Sequence, residues 1–316
     1  MNTQYSRCFF LLAMLVPSLA AAQTEWIAIP SLADADASES DVRSVRFISA
    51  EAEPIERSTL MVWNSAAEAS GGPPGWDEPL ASDRPDFTEA SCTVGRGVCQ
   101  LEMGFTYFQD DLGSDHLQAY TYPEMLLRMG VYADWLELRL AWTYGNELIA
   151  TGGIRNRTAG VEDLYLGLKL GLTPQQGILP EMSLMPQMTV PLGSDFSVNR
   201  VLPGVNWLYG WDINETFSTA GSTQLNLSVD GGINAEYVEF AQSWTIGYTL
   251  TEKLGAYTEW FVLVPAGVDT AQTEHYLDGG FTYRVTNNLQ LDIRAGKGIS
   301  GASVDFFAGS GLVARF

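Results

Sequence analysis

From Cys99 to the last residue, Phe316, apolar and polar side chains alternate with a period of two. Over 135–147, Leu136, Leu138, Leu140, Trp142 and Tyr144 share one face, and Glu137, Arg139, Ala141 and Thr143 share the other. Leu101, Met103, Phe105 and Tyr107 are likewise set against Gln100, Glu102, Gly104 and Thr106. Later, Leu225, Leu227 and Val229 oppose Gln224, Asn226, Ser228 and Asp230, and Leu289, Leu291 and Ile293 oppose Gln290, Asp292 and Arg294. This is the repeat of a β-strand whose two faces meet different surroundings. It predicts twelve strands, at 99–109, 121–133, 135–147, 160–172, 180–192, 203–213, 222–232, 239–250, 254–264, 273–285, 289–297 and 304–316. Several exceed the ~5–6 residues usual in soluble proteins and approach the ~9–11 that cross a bilayer at a tilt.

The connections have their own rhythm. Tight links are centred on Asp134, on Thr251 to Lys253 and on Thr286 to Asn288, while "DDLGSDHLQAY" and "ATGGIRNR" read as longer polar loops on the opposite side. Short turns at one end and longer loops at the other are the pattern of an outer-membrane barrel, and an even strand count returns the C-terminus to the side of entry.

Alternation alone does not separate a lipid-facing barrel from a soluble sandwich; three features do. Aromatics sit near strand ends (Tyr107, Tyr120, Tyr122, Tyr132, Trp135, Trp142, Tyr144, Trp207, Trp211), as in interfacial girdles. Charges of both signs fall at mid-strand on the predicted inner face: Glu102, Glu124, Arg128, Glu137, Arg139, Lys169, Asp212, Glu259, Asp278, Arg284, Asp292 and Arg294. A wet lumen tolerates these and a dry core does not. The chain then ends on an alternating strand, with Val304, Phe306, Ala308, Leu312, Ala314 and Phe316 on one face. A terminal aromatic of this kind resembles the signal read by the bacterial barrel-assembly machinery, which makes that machinery an expected partner.

Ahead of the barrel, residues 1–22 have Arg7, an apolar run from Phe9 to Val16 and the small triplet Ala20-Ala21-Ala22, which predicts a signal peptide removed before Gln23. Cys8 precedes the apolar run and is not placed for lipid attachment. Residues 23–81 form an acidic, Ala/Ser/Pro/Gly-rich periplasmic leader, expected to be largely flexible, with a small folded plug as the alternative. Net charge is −21, and Gln23–Ser91 holds 14 Asp/Glu against 4 Lys/Arg. That balance and the scattered basic residues give nothing to bind nucleic acid. In an oxidising compartment Cys92 and Cys99, inside or bordering the lead-in segment 82–98, are expected to form a disulfide; C-x-x-C spacing or neighbouring histidines, which a redox or metal pair would want, are absent.

The run "SDRPDF…CQLEMG" resembles the outer-membrane transporter family named for the MetA pathway of phenol degradation. Members carry an Asp-Arg-Pro stretch before the first strand and a Q-x-E-x-G run within it, matched here by Asp83, Arg84, Pro85 and by Gln100, Glu102, Gly104. The resemblance spans about 82–316 and implies an outer-membrane channel for small aromatic or other hydrophobic compounds. The cysteine pair and the long acidic leader depart from the pattern.

Two readings stay open for Asp83-Arg84-Pro85-Asp86: a latch docked against inner-face charges, or a solvated linker. The inner-face charges themselves either select solutes or pair with one another across a narrow lumen, which twelve strands leave room for. A serine hydrolase would need a histidine near a nucleophile; His116 lies beside Ser114 and Asp115, and His275 beside Glu274, and adjacency in sequence makes no triad. No cofactor or metal motif stands out. The expectation is therefore a non-enzymatic, twelve-stranded barrel in contact with outer-membrane lipid, passing small-molecule solutes. A non-conducting structural or adhesive barrel is the alternative.

Overall fold

The computed structural model describes residues 59–63, 69–112, 115–151, 154–230 and 233–316. The predicted signal peptide and the leader as far as residue 58 lie outside them. Among the described residues there are thirteen strands: β1 Cys99–Leu112, β2 Asp115–Gly130, β3 Leu136–Thr151, β4 Ile154–Val161, β5 Leu164–Thr173, β6 Glu181–Val190, β7 Leu202–Asp212, β8 Phe217–Asp230, β9 Ala235–Thr249, β10 Leu254–Ala266, β11 Glu274–Thr286, β12 Leu289–Gly298 and β13 Phe306–Arg315. All pairs are antiparallel, β1 pairs with both β2 and β13, and β2 pairs with β3, so the sheet closes on itself. Cys99 and Phe316 exchange backbone hydrogen bonds of 2.9 and 2.8 Å at the rim where the barrel begins and ends, the near rim.

Twelve strands make the wall and β4 is additional. It pairs with the far half of β3, from Tyr144↔Val161 to Thr151↔Ile154, whereas β5 pairs with the near half, from Leu136↔Leu170 to Ala141↔Tyr165. The single strand expected at 160–172 is thus broken at Glu162-Asp163. There the Asp163 carboxylate accepts the backbone N–H groups of Leu192 and Val198 (3.1 and 3.2 Å), and Glu162 N–H bonds the Thr143 carbonyl. The two runs expected as long loops are mostly strand: β1 and β2 continue to Leu112 and Asp115, and β3 and β4 form a hairpin. Their polar sequences hid this, because a hairpin standing clear of lipid needs no apolar face.

The wall is inside-out relative to a soluble sheet. Large apolar side chains such as Phe105, Leu138, Trp207, Leu225, Phe281 and Ile293 are exposed on the outer face, while Arg128, Glu137, Arg139 and Lys169 are buried on the inner one. That is the distribution required of a wall solvated by acyl chains. The inner face also carries an apolar cluster toward the far rim, built from Phe108, Leu117, Ala119, Ala241, Phe261, Leu263, Tyr276 and Phe307. Phe196 and Val304 reach it from the far-rim loops 191–201 and 299–305. Val304 is therefore a loop residue packed inward, not the start of an outward-facing strand.

Candidate functional site

The lumen nearest the near rim is occupied by the chain's own residues 82–94. Their approach is fixed from outside the barrel, by the stretch expected to be the end of a flexible leader. Arg315 on β13 donates to the carbonyls of Pro74, Trp76 and Glu78 (3.2, 3.4 and 2.9 Å) and lies over the Trp76 ring. Leu80 N–H bonds Asn287 in the β11–β12 turn, and Gln100 and Arg128 both donate to the Ala81 carbonyl. Residues 74–81 are thus bound along the rim, and the chain turns inward at Ser82.

Asp83 is the hub of the inserted segment. Its carboxylate receives Arg128 (3.2 Å), Arg139 (2.5 Å) and Lys169 (3.1 Å), together with the backbone N–H of Ala90 (2.9 Å). Burial alone would raise this carboxyl, but the three cations hold it well below the usual carboxylate range. Arg84 forms a fork on Asp292, with Nε and Nη2 each 3.2 Å from its two oxygens; Nη1 reaches Glu124 at 3.0 Å and Nη2 the Ser310 carbonyl. Planar two-point pairing is what arginine supplies and lysine does not. The guanidinium passes over Gly104 and Gly311, which face each other in the β1–β13 register; a Cβ at either position would overlap it.

The remaining anchors continue the path. Arg294 donates to the Pro85 carbonyl (3.0 Å). Glu259 accepts Phe87 N–H, Thr88 N–H and the Thr88 hydroxyl at 2.6, 2.8 and 2.5 Å. The Phe87 ring stacks on Phe261 at 4.5 Å between centroids, joining the segment to the apolar cluster. Glu89 is held by Arg139 and Asn206, Ser91 by Glu181 and Ser183, and Val94 N–H by Glu137. Asp86 stands apart: burial, followed by the charges of Asp278 and Asp83, pushes its carboxyl up to about 8.

The Q-x-E-x-G run of β1 is the seat of this segment. Gln100 holds Ala81, Glu102 accepts Asp83 N–H (3.2 Å), and Gly104 leaves room for Arg84. The two sequence signatures meet at two points, Asp83 on Glu102 and Arg84 over Gly104, while Gln100 holds the preceding Ala81 and Pro85 is held by Arg294.

Ten of the twelve inner-face charges named from sequence are buried there: Glu102, Glu124, Arg128, Glu137, Arg139, Lys169, Glu259, Asp278, Asp292 and Arg294. Asp212 is instead exposed at the near rim, where only its backbone is engaged, by Gln175, and Arg284 is half-buried close to the same rim. Sequence reasoning missed Glu181, Glu239 and Asn206, and the inward aromatics Phe108, Phe261 and Phe307. Their signal was parity, since each falls on the polar side of an alternating run.

Cys92 and Cys99 are not bridged; both are free thiols. Cys99 shares the outer face of β1 with Leu101 and Met103, whereas Cys92 lies inside, its carbonyl bonded by Arg128. The barrel wall separates them. Burial pushes the Cys92 thiol up to about 12, which keeps it protonated and unreactive. Of the histidines, His116 pairs with Asp111 at an exposed strand end (2.6 Å) and His275 stacks on Trp260 on the outer wall; Ser114 lies outside the described residues.

Among solved structures, an outer membrane channel from Pseudomonas putida F1 superposes with a TM-score of 0.58 at 14% identity, over 77% of this chain and 99% of that one. The translocator domain of the autotransporter NalP from Neisseria meningitidis gives 0.48 at 12% identity over 70% and 89%, and the transport unit of the autotransporter AIDA-I from Escherichia coli gives 0.48 at 10% over 69% and 89%. No curated protein is detectably similar in sequence. The likeness to the Pseudomonas channel is one of fold. Residues 82–316, the threaded segment and the whole barrel, match the family described as "Putative MetA-pathway of phenol degradation", and the chain belongs to it.

Proposed function

We propose that the protein is an outer-membrane channel for passive transport of small molecules, held closed by residues 82–94 acting as a latch. The barrel sits in the outer membrane with its near rim, and the leader, on the periplasmic side, and Phe316 serves the barrel-assembly machinery. The observation that carries the reading is the way the lumen is filled. Its occupant is a tethered segment held by ion pairs and hydrogen bonds, which water and solute can replace, rather than a fused core. Family membership supports a transport role, and the P. putida relative of the same fold is named a channel. The Phe87 ring of the latch and the Phe261 and Tyr276 rings stacked beyond it favour small aromatic or other hydrophobic solutes, since offset aromatic stacking favours ring compounds.

A non-conducting structural or adhesive barrel is the competing reading, and the filled lumen is the observation that favours it. Planar-bilayer recording of the folded protein separates the two. Stepwise current supports the channel; silent insertion at every voltage supports the inert barrel.

A further inference from the structure

The lumen holds a second set of polar groups that the latch does not touch. Glu162 is only 5% exposed, and neither of its carboxylate oxygens has a hydrogen-bond partner. The same holds for the Thr143 hydroxyl, which is fully buried, and for Oε2 of Glu147. These groups lie along one strip of wall. Thr143 is opposite Glu124 in the β2–β3 register, and its carbonyl accepts Glu162 N–H at 2.9 Å. The charges acting on Glu162 are those of Glu124 and Asp163, and Asp163 is already engaged by Leu192 and Val198. Glu147 stands four residues farther along β3, about 13 Å toward the far rim at the usual rise of a strand.

Buried acceptors without donors are rare and destabilising. A carboxylate and a hydroxyl, left unpaired and set beside a second carboxylate, are what a dehydrated cation takes in exchange for its water, and carboxylates lining a pore select cations. Two carboxylates and one hydroxyl are too few ligands for a fully stripped divalent ion, and among the described residues no three His, Cys, Asp or Glu side chains gather around one point, so a singly charged ion fits the donor set better. Glu124 also holds Arg84 at 3.0 Å, so the site abuts the latch.

We infer that Glu162, Thr143 and Glu124 form a binding site for a small monovalent cation, reached from outside past Glu147, and that a cation seated there competes with Arg84 for Glu124. The selectivity part of this rests on the channel reading; the binding part does not.

Infrared difference spectra of the lipid-reconstituted protein, recorded while KCl replaces choline chloride, test binding without conduction. A carboxylate difference band is expected in the wild type. It disappears in Glu162→Gln, weakens in Thr143→Val and survives in Glu236→Gln, which alters an exposed carboxylate paired with Arg200. No wild-type band, or an unchanged band in Glu162→Gln with Thr143→Val also unaltered, overturns the site. A protein that shows the band yet carries no current keeps the site and loses the channel. Where current flows, Glu162→Gln lowers the K+/Cl− permeability ratio roughly sixteenfold, a factor of about four on each ion, because one unit charge about 5 Å away in a water-like dielectric attracts the cation and repels the anion equally; an unchanged ratio overturns the selectivity.

Discussion

Arg84→Ala is the sharpest perturbation of the latch. The guanidinium makes a two-point pair with Asp292, a third bond to Glu124 and a fourth to the Ser310 carbonyl, and its side chain is 13% exposed. Truncating one partner of a pair this buried costs about 3–5 kcal/mol, because the opposing carboxylates are left uncompensated. At 1.4 kcal/mol per factor of ten, the seated-to-unseated ratio of the Arg84-Pro85 turn falls by a factor of about 100 to about 4,000. Asp83 and Thr88 remain anchored, so the segment loosens locally and does not leave the lumen. Single-channel recording should therefore show a higher open probability and conductance in Arg84→Ala, with Arg84→Lys between the two because an ammonium cannot fork. Gly104→Ala offers an independent route, since its Cβ overlaps the guanidinium while every charge stays in place. It should reproduce the Arg84→Ala phenotype, and the double variant should add nothing, as expected for groups acting through one contact. Equal open probabilities in wild type, Arg84→Ala and Gly104→Ala, all correctly folded, would refute the reasoning.

Three further outcomes rest on the same geometry. The Asp86 carboxyl is raised from an ordinary 3.8 to about 8, so protonation favours the seated segment; that contribution is fully present below the ordinary value and is lost as pH rises through about 8. Open probability should climb across this window in the wild type and stay flat in Asp86→Asn, and a parallel climb in both would exclude Asp86 as the titrating group. Phe87→Ala removes the stack on Phe261, worth about 1 kcal/mol or about a fivefold shift, so it should open the channel less than Arg84→Ala; a larger effect would place the main anchor in the aromatic cluster. In a Cys92→Ser/Cys99→Ser background, Arg155→Cys on the β3–β4 hairpin should react with an impermeant maleimide on intact cells, and Lys253→Cys in the β9–β10 turn only after the outer membrane is permeabilised. The reverse pattern would invert the orientation.

The lipid-facing part of the fold was legible because lipid imposes an apolar face. Leu136 to Tyr144 could be nothing but one side of a strand, and the near half of β3 follows. The far half of β3, with Asn146 and Glu147 buried, and β4 beside it, exposed from Ile154 to Arg157, present no run of alternating apolar side chains to lipid, so the same chain read as a loop. The latch was half-legible. Asp83, Arg84 and Pro85 stood out by charge and stiffness, but their partners were set by barrel closure, which brings Asp292 to Arg84 across 208 positions and pairs Gly104 with Gly311. Nothing local to "SDRPDF" encodes those distances. The disulfide expectation failed for the complementary reason: seven positions of sequence separation do not matter when a strand wall lies between the side chains. Phe108, Phe261 and Phe307 were visible by parity, yet aromatics near strand ends also suit a girdle, and only the closed barrel shows that they turn inward.

The central claim, that a latched lumen conducts small molecules, is met most directly by liposome swelling with solutes graded in size and polarity. Liposomes holding the folded protein should swell with small solutes at a rate that falls with solute size, and faster for Arg84→Ala than for wild type. No swelling with either protein, at any solute size, would contradict the account and leave an inert barrel.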